Sequence, residues 1–122
     1  MTFVTAYSCR TQLERLTQLL VSAFPGSTIY QHTDLCRVPH DVLNNKVDAV
    51  FLETEVDEAN SLDFVRMLHR QKSSLPVFII SQAENLREEA AEAGVSGCFV
   101  QPVTEQQLRD AIQSVKNKEN AL

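Results

Sequence analysis

Val47-Asp48-Ala49-Val50-Phe51-Leu52-Glu53 is a nearly unbroken apolar run closed by an acid. A strand with one wet face alternates apolar and polar residues. Here apolar side chains fill consecutive positions, so both faces must be covered, as in a central strand of a parallel sheet. Pro76-Val77-Phe78-Ile79-Ile80 has the same character more strongly, and its proline takes the first position, where a missing N–H donor is tolerated.

Outward from these two runs the chain alternates short apolar segments with segments of helical period. Phe3-Val4-Thr5-Ala6 predicts a first strand, and Leu13, Leu16, Leu20 and Phe24 mark one buried stripe of a helix that Pro25-Gly26 stops. Ser27-Thr28-Ile29-Tyr30 reads as the second strand and Asp34 to Asn45 as a short helix. After the third strand comes a polar loop, then a third helix carried by Leu62, Val65, Met67 and Leu68. Glu84 to Ala93 is rich in good helix formers, with Gly94 as its stop. Gly97-Cys98-Phe99-Val100 makes the fifth strand. Thr104-Glu105-Gln106-Gln107 has the form of a capping box that opens a last helix, buried through Leu108, Ala111, Ile112 and Val115.

Five β–α units in this order require parallel strands joined by right-handed crossovers. The expected fold is α/β, a doubly wound five-stranded parallel sheet of flavodoxin-like order 2-1-3-4-5, with three helices on one face and two on the other. Residues 1–117 are expected to form the domain and residues 118–122 a polar tail. Sites in such sheets gather at the carboxyl ends of the strands. The residues there are Tyr7 and Ser8, Glu53 with its loop, Ser81 and Gln101.

Composition narrows the function. A chain of 122 residues with 43% hydrophobic and 22% charged residues suits one globular domain. With 11 basic against 16 acidic residues the net charge is −5, which argues against a nucleic-acid or anionic-membrane footprint within this chain. The amino terminus lacks the basic flank and apolar run of a signal peptide, and no segment approaches the roughly 18 apolar residues of a membrane helix. Cys9, Cys36 and Cys98 are widely spaced, and His32, His40 and His69 show no metal-ligand spacing beside them. Reduced thiols, a cytoplasmic location, no metal and no cofactor are the expectation.

At the strand ends the sequence resembles the CheY-like receiver domain of bacterial response regulators, over nearly the whole chain. That family's third strand ends in a phosphoacceptor aspartate, where Asp48-Ala49-Val50-Phe51-Leu52-Glu53 ends in Glu53. The family's following Met-Pro and Asp-Gly pairs are matched in spacing by Val56-Asp57 and Asn60-Ser61. Its fourth strand ends in a threonine or serine, here Ser81. Its fifth strand is matched by Ala93-Gly94-Val95-Ser96-Gly97-Cys98-Phe99-Val100-Gln101-Pro102, the most specific element.

The resemblance implies Glu53 at the phosphoacceptor position, Tyr7 and Ser8 in place of the two Mg²⁺-binding acids, and Ser81 and Cys98 at the switch positions. Gln101, followed by Pro102, stands in place of the phosphate-pairing lysine. Mg²⁺ wants oxygen ligands with carboxylates supplying most of the binding. Phosphoryl transfer needs positive charge placed against the equatorial oxygens. With both gone, a degenerate pseudo-receiver that acts by protein contact, not as an enzyme, is expected.

Two readings of Glu53 stay open: a permanent stand-in for the phosphorylated aspartate, reaching Ser81 and Gln101, or a drifted acid that bonds locally. The acidic residues Glu53, Glu55, Asp57 and Glu58 do not make an EF-hand, because its sixth and twelfth places hold Glu58 and Phe64 instead of glycine and glutamate. The expected contact face, for a partner or a second copy, is made by helix four, strand five and helix five. The alternatives are a transcriptional regulator with a DNA-binding domain beyond residue 122 and a flavodoxin-like small-molecule binder, for which Tyr7-Ser8-Cys9-Arg10-Thr11 is a poor phosphate loop.

Overall fold

The structure is a computed structural model that describes residues 1–56, 59–71, 74–81 and 87–120. In chain order the elements are β1 (Thr2–Ala6), α1 (Arg10–Ala23), β2 (Thr28–His32), α2 (Val38–Asn44), β3 (Ala49–Glu53), β4 (Glu55–Val56), β5 (Ala59–Asn60), α3 (Ser61–Gln71), β6 (Val77–Ser81), α4 (Arg87–Ala93), β7 (Gly97–Val100) and α5 (Glu105–Asn120). The main sheet has five strands in the order β2-β1-β3-β6-β7, every pair parallel. Counting only its own strands, that is the expected order 2-1-3-4-5.

Alternation along the strands feeds two cores. Val4, Ala6, Val50, Leu52, Val77 and Ile79 pack under α2, α3 and α4 through Val38, Val42, Leu62, Val65, Leu68 and Ala93. Phe3, Ala49, Phe51, Phe78 and Ile80 face α1 and α5 through Leu13, Leu16, Leu20, Leu108 and Ile112. Four rings run across that second face: Phe3 lies edge-on to Phe51 at 5.9 Å, Phe51 stacks on Phe78 at 5.2 Å, and Phe78 stacks on Phe99 at 5.7 Å.

Several boundaries differ from the sequence reading. β2 starts at Thr28 and reaches His32. Its polar Gln31 and His32 hide the end of the strand in a hydropathy profile, yet Ala6 of β1 pairs with His32. α2 begins only at Val38: Asp34 Oδ1 takes the amide of Cys36 at 2.9 Å in a local turn, and Pro39 sits in the first helical turn. Met67 lies on the solvent side of α3, 38% exposed. The loop after β3 contains the small antiparallel pair β4–β5. Asp57 and Glu58 of the acidic loop, and Glu84 to Leu86 of the expected fourth helix, lie outside the described residues. α5 continues to Asn120, past residue 117.

The caps follow the sequence closely. Thr104 Oγ1 accepts from the amide of Gln107 at 3.2 Å, while Gln107 Oε1 accepts from the amide of Thr104 at 2.9 Å. Both members of the capping box are thus engaged. Gly94 ends α4 at φ +91, a conformation only glycine takes freely.

At the opposite end of the sheet from the candidate site, Asp48 ties three elements together. Its Oδ2 accepts from the amide of Thr2 at 2.8 Å, and its Oδ1 accepts from Lys116 Nζ of α5 at 2.9 Å. Burial pushes the Asp48 carboxyl up, but the bonds from Lys116 and Thr2 and the nearby positive charges outweigh it and hold the carboxyl below 3.8. A carboxylate depressed in the folded state stabilises the fold above the unfolded pKa and loses that contribution as pH falls through the folded value. Asp48→Asn should therefore lower stability at neutral pH by about 1 kcal/mol. The deficit should shrink below about pH 4. Urea titrations of both proteins across that range check this.

Candidate functional site

The carboxyl ends of β1, β3, β6 and β7 meet at one edge of the sheet. Tyr7 and Ser8 leave β1, Glu53 ends β3, Ser81 ends β6, and Gln101 follows β7. The structure brings these residues together through strand register: Glu53 lies beside Ile80, and Ser81 beside Val100. The amide of Gln101 bonds the carbonyl of Ser81 at 2.9 Å, so β7 leads directly into the site.

Tyr7 is buried to 2% exposure and belongs to the aromatic core, because it continues the side-chain alternation of Phe3 on β1. Its amide is held by the carbonyl of His32 at 3.1 Å. Its hydroxyl accepts from Gln101 Nε2 at 3.2 Å. Burial, opposed by the Gln101 bond and reinforced by the Glu53 charge, pushes the phenol up to about 12. At neutral pH it is a neutral hydroxyl against a neutral amide.

Glu53 is half-buried, and its Oε1 accepts from the backbone amide of the exposed Ser8 at 3.1 Å. The backbone around Glu53 is tied down locally. Ser61 Oγ bonds the Glu53 carbonyl, the amide of Ser61 bonds the carbonyl of Thr54 at 3.1 Å, and the amide of Thr54 bonds the carbonyl of Ile80 at 3.1 Å. Asn60 Oδ1 takes the amides of Leu62 at 2.8 Å and Asp63 at 3.3 Å, capping α3 as it leaves this edge. Ser81 is buried, while Cys98 is half-buried and packs on the opposite core from the Tyr7 ring. The peptide bond between Gln101 and Pro102 is cis.

The side-chain pairings themselves were not foreseen from sequence: the Gln101 amide turns to Tyr7, and the Glu53 carboxylate takes the Ser8 amide. Nor was Thr54 singled out, and Ser61 was read only as a match in spacing to the family's Asp-Gly pair, although both hold the backbone beside Glu53. Gln12, Arg15 and Leu19 on α1 were also missed; with Leu16 of the buried stripe they border a cleft beside Tyr7. Among the described residues no group of three or more His, Cys, Asp or Glu side chains is placed to hold a metal ion. No helix among them is long and apolar enough to cross a membrane.

A doubly wound sheet whose polar residues converge at one carboxyl edge has the architecture of receiver domains, among other proteins of this fold, and comparison with known proteins decides between them. The response regulator receiver domain model matches residues 10–113. A response regulator receiver domain protein from Clostridium thermocellum superposes with a TM-score of 0.86 at 19% identity, covering 98% of this chain and 97% of that one. A two-component response regulator from Clostridium difficile gives 0.85 at 13% identity, with 98% of each chain covered. A DNA-binding response regulator of the LuxR family from Staphylococcus aureus gives 0.82 at 14% identity, covering 95% of this chain and 98% of that one. No curated protein sequence matches the chain.

The chain belongs to the response regulator receiver domain family. It is a receiver domain of two-component signal transduction, of a class that serves as signalling domains rather than enzymes and works through protein partners such as kinases and effector domains.

Proposed function

We propose that this receiver domain signals by protein contact without Mg²⁺-dependent aspartate phosphorylation. The observation that supports the reading most is the Tyr7–Gln101 pair. Where the family's acids and lysine stand, a buried neutral phenol is bonded to a neutral amide at 3.2 Å. A phenol with its pKa raised to about 12 offers Mg²⁺ no carboxylate, and an amide offers a phosphoryl group no charge. In this reading Glu53 is the phosphoacceptor-equivalent residue, Tyr7 and Ser8 the degenerate acidic pocket, and Ser81 and Cys98 the switch-equivalent positions. Gln101 with Pro102 takes the lysine-equivalent place. The bond from the Ser8 amide favours a Glu53 that is held locally.

The acting unit is residues 1–117 in the cytoplasm, and its contact surface is the face of α4, β7 and α5. β7 is an edge strand, and edges left open invite pairing unless they are covered. Glu88 on α4 and Arg109 on α5 are exposed on the flanking helices, and Arg109 is paired with Glu105 one turn earlier. Glu88→Lys and Arg109→Glu should each weaken self-association or partner capture by about tenfold, since like-charge juxtaposition at an interface is costly. Multi-angle light scattering and pull-downs with the wild-type and variant chains check this. A wild-type protein that stays monomeric at high concentration and recovers no partner contradicts the assigned surface.

A further inference from the structure

A cleft of about 390 Å³ opens between α1 and the segment that leads into α5. That volume lies within the roughly 300–1,000 Å³ usual for small-molecule sites. Leu16, Leu19, Pro102 and Val103 give it apolar surface. Tyr7, Gln12, Arg15 and Gln101 give it polar groups.

The polar groups have complementary needs. Gln12 Oε1 is buried and meets no hydrogen-bond partner among the described residues. An acceptor in that state destabilises the fold unless a donor reaches it. The Tyr7 hydroxyl accepts from Gln101, which leaves its own hydrogen for a further acceptor. Arg15 is exposed at the rim, with a guanidinium whose planar fork suits a carboxylate.

We propose that this cleft binds a small amphipathic carboxylic acid that carries one N–H or O–H donor. Its apolar body lies on Leu16, Leu19, Pro102 and Val103, its carboxylate meets Arg15, and its donor meets Gln12 Oε1 once the Gln12 side chain turns that buried oxygen toward the cleft. The Tyr7 hydroxyl donates to a remaining ligand oxygen. Tyr7 and Gln101 line the cleft and also belong to the Glu53 edge, so occupancy would act on residues of the signalling site. That consequence rests on the function proposed above; the binding itself does not.

The test is an NMR titration of the intact chain with two probes, N-acetyl-leucinate and indoleacetate, each paired with its uncharged amide. At least one acid should give saturable shifts at the amides of Leu16, Leu19, Gln101 and Val103, with its amide binding about tenfold more weakly. Arg15→Gln, at an exposed position, should keep a dispersed spectrum and weaken the acid by about tenfold. Leu19→Trp, which fills the cleft, should abolish binding, and Gln12→Leu should weaken it while raising thermal stability. No saturable shift from either acid at millimolar concentration overturns the proposal. So does equal binding of acid and amide, an unchanged affinity in Arg15→Gln, or shifts confined to another face. Because none of these readouts involves phosphate transfer, their failure leaves the proposed mode of signalling intact.

Discussion

Phe51→Ala is expected to destabilise the domain by about 3–5 kcal/mol. Phe51 has no exposed surface, sits on the central strand β3, and touches rings on both sides, Phe3 at 5.9 Å and Phe78 at 5.2 Å. Removing the ring deletes its buried area and both aromatic contacts, and leaves a cavity between β3, α1 and α5 that backbone hydrogen bonds on either side hinder from closing. Domains of this kind are stable by only about 5–15 kcal/mol, so the loss is a large share of the total. Leu43→Ala on α2, at a side chain 56% exposed, is the control and should stay within about 0.5 kcal/mol of wild type. Urea denaturation read by circular dichroism separates the two. A loss below about 1 kcal/mol at Phe51 contradicts the assigned core.

Glu53→Asp alone is expected to leave the domain unable to take phosphate from acetyl phosphate in Mg²⁺. The shorter side chain corrects the reach of the nucleophile, and misplacement of about 1 Å can change a rate by about a hundredfold. The pocket would still hold the neutral Tyr7–Gln101 pair and the exposed Ser8 hydroxyl. Each missing electrostatic contributor is worth about 3–4 kcal/mol in the transition state, or two to three orders of magnitude in rate. Two such losses hide a single-site rescue. Tyr7→Asp, Ser8→Asp and Gln101→Lys added to Glu53→Asp supply both the acids and the charge, and that combination is expected to gain transfer. It carries a penalty, because the Tyr7 ring is a buried core residue and its loss should cost about 3 kcal/mol or more. A thermal melt must therefore accompany the assay. Phosphorylation of Glu53→Asp alone contradicts the role given to Tyr7 and Gln101.

The fold was legible in the sequence where burial on both faces leaves no freedom. The runs Ala49–Leu52 and Val77–Ile80 cannot be read as surface strands, and they occupy the middle of the sheet. The capping box at Thr104 and Gln107 was legible because its chemistry is local. Local chemistry also misled. Asp34 looked like a helix start and instead closes a turn on Cys36, while Gln31 and His32 hid the end of β2. The β4–β5 pair is too short to show any period.

For the site, the strand ends fixed which residues would meet, since topology alone brings Tyr7, Glu53, Ser81 and Gln101 to one edge. The choice each side chain then makes was not legible. Tyr7 and Gln101 are far apart in sequence, and nothing near either one in the chain says that the amide donates to the phenol. The cleft was hidden for the same reason: one wall comes from α1 and the other from the Gln101–Val103 segment, and neither stripe alone encloses space.

The most direct test of signalling without aspartate phosphorylation is the intact mass of the wild-type protein after incubation with acetyl phosphate and Mg²⁺. The sample is kept cold and near neutral because acyl phosphates hydrolyse. The expected result is an unchanged mass, with a phosphorylatable receiver domain run beside it gaining phosphate under the same conditions. A phosphate-sized gain on the wild-type chain, lost in Glu53→Gln, would contradict it and show that Glu53 accepts a phosphoryl group without the acid pair or the lysine.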